Sequence, residues 1–138
     1  MRHLLPLLTG LSLLAGPAAA AETVIAVCEA RAAAPVTIAI FATAADFKAH
    51  ENPVATLTLA PQADGTAEAQ IDLPPGTYAA AAIQDTDGDG GLTTNMLGLP
   101  TEPYGFSGGG GRFGPPAFNE AAFAVPAVKP VLVCLQEL

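Results

Sequence analysis

The sequence predicts an all-β fold, an antiparallel sandwich of about seven short strands with one long loop rich in glycine and proline. Three observations support this fold class. Apolar and polar residues alternate with period two in several short runs, turn-forming glycine, proline and Asp-Gly pairs separate the runs, and helical periodicity is almost absent. Short strands with regularly spaced turns are typical of two packed sheets.

The predicted strands cover 23–28, 36–41, 54–59, 66–71, 77–83, 122–125 and 130–135. Between the third and fourth strands, the pair Asp64-Gly65 predicts a hairpin turn. The fifth strand contains four alanines, which are poor strand formers, so its prediction depends on the turns that flank it. The stretch 46–50 predicts one helical turn, with Thr43 as its N-cap.

Residues 1–21 have the pattern of a cleavable signal peptide. Arg2 precedes an apolar run over 4–15, and a string of alanines over 18–21 follows Pro17. A membrane anchor is the alternative, but a spanning helix needs about 20 apolar residues and this run is shorter. We therefore expect cleavage after Ala20 or Ala21 and export to the periplasm or beyond. The mature chain, 22–138, is then one domain with no membrane span.

The composition is acidic. The formal charge of the full chain is −8, and it becomes −9 when Arg2 is removed with the signal peptide. Such a surface repels nucleic acid, and no run of basic residues is present to bind it. Nucleic-acid binding is therefore excluded, whereas cation binding is compatible with this charge.

The two cysteines, Cys28 and Cys134, lie in apolar segments near the two ends of the mature chain. In an oxidising compartment, two cysteines with none left over favour a single disulfide. Two buried free thiols are the alternative. A zinc site is disfavoured, because the mature chain offers only one histidine, His50, as a further ligand.

The strongest chemical motif is the acidic loop D-T-D-G-D-G-G-L-T over 85–93, which matches the first half of a D-x-D-x-D-G calcium loop. Alternate spacing turns the three carboxylates toward one centre, and Gly90 permits the sharp bend that follows. Leu92 is expected to point back to the core and anchor the loop. The predicted calcium ligands are Asp85, Asp87, Asp89, the carbonyl of Gly91, Thr93 and Asn95.

This loop departs from a complete EF-hand. Position twelve is Met96 instead of a bidentate glutamate, so the affinity is expected to be weak unless Glu102 or another carboxylate takes its place. An Asp-Gly turn without metal is the alternative. Three aspartates within five residues repel one another, and a bound cation relieves this repulsion. The prediction is a structural calcium ion.

The region 84–121 interrupts the strand pattern and holds most of the glycines, yet it also contains several large apolar side chains. A long loop of this kind is usually functional or disordered, and the apolar content argues against disorder. Glu102, Tyr104, Phe106 and Phe113 are the candidate ligand-binding residues. Alternatively, the aromatic residues fix the loop to the core.

Several segments resemble the bacterial family catalogued as domain of unknown function 2141. They are L-P-P-G-T-Y-A from Leu73, the acidic loop, N-M-L-G-L-P-T-E-P-Y-G-F-S over 95–107 and G-P-P-A-F over 114–118. The resemblance implies an exported sandwich related to transthyretin-like or Ig-like domains, with no established activity. Gln84 and Thr93 stand where members often carry His and Asp, and the glycine run 108–111 replaces a more polar stretch.

Catalytic motifs are weak. His50 lies in a surface-like turn, and Ser107, the one serine of the mature chain, has no nucleophile-elbow context. We therefore expect a non-enzymatic binding or accessory module that uses the 84–121 loop to contact an unidentified protein or small ligand. A structural, envelope-associated scaffold and a small metal-assisted hydrolase are the alternatives.

Overall fold

The computed structural model describes residues 19–92, 94 and 96–137. Most of the predicted signal peptide lies outside these residues, so its cleavage stays a prediction. Within the described part of the chain, no helix is long and apolar enough to cross a membrane.

The described residues form eight strands and two short helices. In chain order they are β1 (Ala21–Cys28), β2 (Val36–Phe41), α1 (Ala44–Ala49), β3 (Ala55–Leu59), β4 (Ala67–Leu73), β5 (Gly76–Gln84), β6 (Tyr104–Phe106), α2 (Phe118–Ala121), β7 (Phe123–Val125) and β8 (Val131–Cys134). The predicted all-β class is confirmed. Thr43 caps α1 as predicted, because its hydroxyl accepts the N–H of Asp46 at 3.1 Å.

Two sheets pack face to face. One has the strand order β4-β1-β8, and the other has the order β3-β2-β5-β6, with β7 also paired to β5. The prediction of a purely antiparallel sandwich is wrong at one pair, because β1 and β8 run parallel from Ile25↔Val131 to Cys28↔Cys134. A parallel pair needs a long connection, and almost the whole domain lies between these two strands.

The predicted Asp64-Gly65 hairpin is also wrong, because β3 and β4 belong to different sheets. The turn itself forms, since Asp64 Oδ1 accepts the Thr66 N–H at 3.0 Å. Gly65 has φ +81°, and its carbonyl accepts the Ala30 N–H at 3.0 Å. The turn is therefore fixed to the loop after β1, and it carries the chain from one sheet to the other.

The core lies between the two sheets and consists of alternate residues of the facing strands. Period-two alternation places these side chains on the inner faces. The fully buried or nearly buried members include Ile25, Val27, Val36, Ile38, Ile40, Ala80, Ala82 and Val133. The alanine-rich β5 is a strand because it lies at the centre of its sheet, between β2 and β6, where small side chains on both faces are covered.

The strand β6 was not predicted, since its three residues lie within the proposed loop and include Gly105. A side chain at Gly105 would collide with the Cys134 carbonyl, so glycine permits the close approach of the C-terminal segment. Tyr104 and Gln136 exchange two backbone hydrogen bonds, of 3.1 and 2.8 Å. This bridge joins the two sheets at the β6 edge.

Both helices lie against the outer face of the larger sheet, where Phe47 of α1 is the centre of an aromatic cluster. Its ring centroid lies 5.8 Å from that of Phe41, 6.0 Å from that of Phe106 and 6.0 Å from that of Phe118, each in an edge-to-face arrangement. Such pairs are stabilising beyond the area that they bury. The cluster therefore holds α1 and α2 to β2, β5 and β6.

The predicted disulfide is confirmed: Cys28 and Cys134 are bonded across the parallel β1–β8 pair, with their Cα atoms 4.4 Å apart. The two cysteines are 106 residues apart in the sequence, so the bond closes a long loop. Closing a loop of this length removes entropy from the unfolded chain, which is its principal effect on stability in the chain-entropy model.

Reduction of this disulfide is therefore expected to lower the free energy of unfolding by about 4 kcal/mol. The measurement is urea unfolding, with and without a thiol reductant, and the Cys28→Ala/Cys134→Ala double variant serves as a second test. Equal unfolding midpoints for the oxidised and reduced protein would contradict the expectation.

The glycine run 108–111 provides a second stability prediction. Gly111 is buried with φ +109°, and a Cβ there would lie 2.6 Å from the Phe106 ring. Gly109 also has a positive φ, of +77°, but a Cβ there would meet no atom within 4 Å. Gly111→Ala is expected to destabilise the fold by at least about 2 kcal/mol, and Gly109→Ala by only about 1 kcal/mol. Equal losses in urea unfolding would show that the clash is not significant.

Candidate metal centre

Four carboxylates converge at one end of the larger sheet. Asp85, Asp87, Asp89 and Glu102 each offer an oxygen, and these four atoms all lie within 4.8 Å of one another. We refer to these four residues as the acidic cluster. Its three aspartates are neighbours in sequence, whereas Glu102 comes from a distant part of the chain.

The pairing of β5 with β6 brings Glu102 to the aspartates. Ile83 lies opposite Tyr104 in the antiparallel register, and the Gln84 N–H donates to the Pro103 carbonyl at 2.9 Å. Asp85 follows β5 directly, and one residue, Pro103, separates Glu102 from β6. The register therefore places the two carboxylates side by side at the strand ends.

Gln84 fixes this end of β5, a role that the sequence analysis did not assign to it. Its side chain is fully buried, its Oε1 accepts the Arg31 N–H at 2.8 Å, and its Nε2 donates to the carbonyls of Arg31 and Ala34. A buried amide with such partners is a strong structural constraint. The sequence signal is one polar residue at the end of an apolar strand, immediately before the acidic loop.

The backbone of the acidic loop wraps around the carboxylates. Six consecutive N–H groups, from Thr86 to Gly91, donate to oxygens of the acidic cluster. Those of Thr86 and Asp87 donate to Glu102 Oε1 at 2.8 and 3.2 Å, and that of Gly90 donates to Asp85 Oδ2 at 2.7 Å. Hydrogen bonds of this kind stabilise the ionised carboxylates and orient them.

Two glycines make this wrapping possible. Gly88 has φ +77° and Gly90 has φ +83°, in the left-handed region that other residues adopt at a cost. A Cβ at either position would meet no atom within 4 Å. The backbone conformation, and not the available space, is therefore the reason for glycine at both positions.

The cluster concentrates negative charge in a partly buried place. Glu102 is only 3% exposed, Asp85 is half-buried, and Asp87 and Asp89 are exposed. At 4.8 Å, the upper limit of these separations, a pair of like charges repels by roughly 1 to 3 kcal/mol, depending on the effective dielectric constant. Carboxylate oxygens are the ligands of hard cations such as Ca²⁺ and Mg²⁺. The arrangement can therefore hold a metal ion.

The structure brings together the three aspartates that the sequence analysis chose as ligands. Glu102, which was also assigned to the candidate ligand-binding surface, lies in the acidic cluster, where it offers the carboxylate that position twelve lacks. Met96 at that position is fully exposed. Thr93 and Asn95 lie outside the described residues.

Coordination by the Gly91 carbonyl stays a prediction, although the Gly91 N–H donates to Asp89 Oδ1 at 3.0 Å. The expectation for Leu92 is wrong: it is 37% exposed and lies over the outer face of the larger sheet, not in the core between the sheets. The chain leaves the acidic loop on the outer side of that sheet, so Leu92 lines a cavity there.

The three candidate aromatic residues have different environments. Tyr104 and Phe106 are buried, and the Tyr104 hydroxyl donates to the Gly111 carbonyl at 2.9 Å. These two side chains therefore fix the glycine run to β6, which agrees with the structural alternative for them. Phe113 is fully exposed.

The hydroxyl of Ser107 has structural partners. It is buried, donates to the Ala121 carbonyl at 2.6 Å and accepts the Ala80 N–H at 2.8 Å. His50 is exposed and ends α1 in the left-handed conformation, with its ring 6.3 Å from that of Phe47. Ser107 thus links β6 to α2, and His50 belongs to the aromatic cluster.

The comparisons with known proteins agree with the resemblance in the sequence. Searches of curated proteins and of solved structures gave no match. A family model described as "Uncharacterized protein conserved in bacteria (DUF2141)" matches residues 27–131, a range that runs from β1 into β8 and contains the whole acidic cluster. The chain therefore belongs to the bacterial family DUF2141.

Proposed function

We propose that this protein is a non-enzymatic binding module of the extracytoplasmic space whose working surface is held in shape by a calcium ion. One observation carries the proposal. Three aspartates in the loop after β5 and a buried glutamate just before β6 converge, with carboxylate oxygens within 4.8 Å of one another. The disulfide between Cys28 and Cys134 is compatible with an oxidising compartment.

Calcium fits this donor set better than magnesium does. Ca²⁺ accepts six to eight oxygen ligands at about 2.3–2.6 Å in flexible geometry, whereas Mg²⁺ requires a near-ideal octahedron and keeps several waters. The loop offers several carboxylates on a glycine-containing backbone, which favours adaptable coordination. Extracellular calcium modules have dissociation constants on the order of 10⁻⁴–10⁻³ M, and we assign this site to that range.

An ion in the acidic cluster would connect the end of β5 to the residues before β6. The segment between Asp85 and Glu102 would then be closed at its base by metal–oxygen bonds as well as by backbone pairing. Leu92 and Leu99 lie within this segment and line the cavities on the outer side of the larger sheet. Calcium would therefore set the position of the surface that we assign to binding.

The environment of the two catalytic candidates favours binding over catalysis. All three hydrogen bonds of the Ser107 hydroxyl are to backbone groups of Ala80 and Ala121, and His50 packs against aromatic rings at the end of a helix. The acidic cluster itself satisfies much of the loop backbone, a structural use of carboxylates.

Calcium is expected to raise the melting temperature of the wild-type protein by a few degrees. At a calcium concentration ten times the dissociation constant, the linkage relation predicts about 1.4 kcal/mol of stabilisation. Differential scanning calorimetry in calcium and in chelator measures the shift, and calorimetric titration measures the affinity. An unchanged melting temperature and no heat of binding would contradict the proposed site.

Glu102→Gln provides the sharper test, because Gln keeps an Oε1 acceptor for the loop N–H groups and removes only the charge. In chelator the variant is expected to melt at or above the wild-type temperature, since one repulsive charge has been removed. In calcium it is expected to melt below the wild type, with about tenfold weaker binding, since affinity depends on the charge of the ligands.

Asp72→Asn is the matched control, because Asp72 is an exposed carboxylate that also faces a like charge, Glu22, across β1 and β4. It should leave the calcium response unchanged. If Glu102→Gln and Asp72→Asn responded to calcium alike, the ion would not bind at the acidic cluster.

A further inference from the structure

We propose that the outer side of the larger sheet binds a small amphipathic anion, that is, an apolar body carrying one anionic group. The site is the cleft between β2, β5 and β6 on one side and Leu92 with the stretches 98–100 and 111–115 on the other. We call it the outer cleft. The inference rests on the proposed function, because Leu92, which forms one wall of the cleft, lies in the segment that the calcium ion would hold in place.

The floor of the outer cleft is the half of the sheet that the helices leave uncovered. Phe47 and α2 cover the end near Phe41 and Phe106, whereas Ala39 and Ile83 are only partly buried. Ala39 lies directly opposite Ala81 in the β2–β5 register. Two adjacent small side chains between larger neighbours leave a depression, and the cavity over it measures about 430 Å³.

A second compartment, of about 640 Å³, continues toward the glycine run and is lined by Leu99, Pro100, Gly111 and Phe113. The two compartments share the lining residues His50, Leu92, Tyr104 and Phe106, so they adjoin each other and are treated together as one cleft. Each volume lies within the range of about 300–1,000 Å³ that is typical of small-molecule sites.

The lining determines the chemistry of the ligand. It consists mostly of alanine, leucine, isoleucine and aromatic side chains, with few polar groups: Thr37, His50, Thr94 and Arg112. A carbohydrate would leave most of its hydroxyls without partners against such walls, and unpaired polar groups are costly to bury. The apolar area therefore selects an apolar body, flat or elongated.

The positive charge of Arg112 favours a ligand that carries an anionic group. Arg31 pairs with Glu137 at 2.6 Å, whereas Arg112 has no acidic partner within the described part of the chain. In a chain of net charge −8, an exposed arginine that lines an apolar cleft and has no acidic partner is a specific attraction for an anion. Guanidinium groups bind carboxylate, sulfonate and phosphate oxygens through charge-assisted hydrogen bonds.

The test uses two fluorescent probes of similar shape: 1-anilinonaphthalene-8-sulfonate, which is an anion, and N-phenyl-1-naphthylamine, which is neutral. Both are expected to bind the folded wild-type protein in calcium. Arg112→Gln should weaken binding of the sulfonate about tenfold and leave binding of the neutral probe unchanged. Lys129→Gln removes an exposed cation away from the outer cleft and should change neither affinity.

A second pair of variants locates the apolar body. Ala39→Trp fills the floor and should abolish binding of both probes, whereas Ala26→Trp, at a half-buried alanine on the outer face of the other sheet, should have no effect. Cooperative melting and the circular dichroism spectrum show whether each variant is folded. If Ala39→Trp does not fold, the Arg112→Gln comparison decides alone.

Three results would overturn the inference: no binding of either probe to the wild type, equal loss of both probes in Arg112→Gln, or unchanged binding in folded Ala39→Trp. Analytical sedimentation measures the oligomeric state of the wild type and of Ala39→Trp. If the wild type is a dimer that binds neither probe, and the dimer dissociates in Ala39→Trp, then the outer face binds a second copy of the chain and not a small anion. The calcium titration uses no probe. A failure of the cleft is thus distinguishable from a failure of the calcium site.

Discussion

The antiparallel register between β5 and β6 is the constraint on which the candidate site depends. Because Ile83 lies opposite Tyr104 and the Gln84 N–H donates to Pro103, the residues just beyond the two strand ends must be neighbours. One of these neighbours is Asp85 and the other is Glu102. A shift of β6 by one residue would turn Glu102 to the opposite face of the strand, and the cluster would lose its buried member. The acidic cluster is thus a consequence of strand pairing as much as of the acidic motif.

The same short strand also shapes the surface proposed to bind a ligand. Tyr104 holds the glycine run through the Gly111 carbonyl, and Phe106 packs against Phe47 of α1. On its other edge, β6 bridges to Gln136 and so to the smaller sheet. The acidic cluster, the aromatic cluster and the bridge between the two sheets therefore all depend on β6, a strand of only three residues. A change in the position of β6 would alter all three features. Binding of an ion at the proposed calcium site could therefore change the shape of the outer cleft through β6.

Much of the fold follows from local pattern, and the rest depends on pairing over long distances. Residues 36–41 form an apolar run, with Thr37 as its one polar residue, that begins directly after Pro35, so both the strand and its bounds were predictable. The strand β6 was not predictable, because three residues with a central glycine show no period-two alternation. They form a strand only because β5 pairs with them. The Asp64-Gly65 pair indicated a turn correctly, but the sheet that each flanking strand joins is decided by β1 and β2. For the site, the spacing of the three aspartates predicted their convergence, whereas Glu102 lies thirteen residues beyond Asp89, and only the fold could place it.

The central claim is that the four carboxylates form one cation site, and a crystal structure of the protein grown with calcium tests it most directly. The account predicts a single ion at about 2.3–2.6 Å from oxygens of Asp85, Asp87, Asp89 and Glu102, identified by its anomalous signal. A cluster that holds only water under these conditions, or an ion bound to the exposed aspartates without Glu102, would contradict the account.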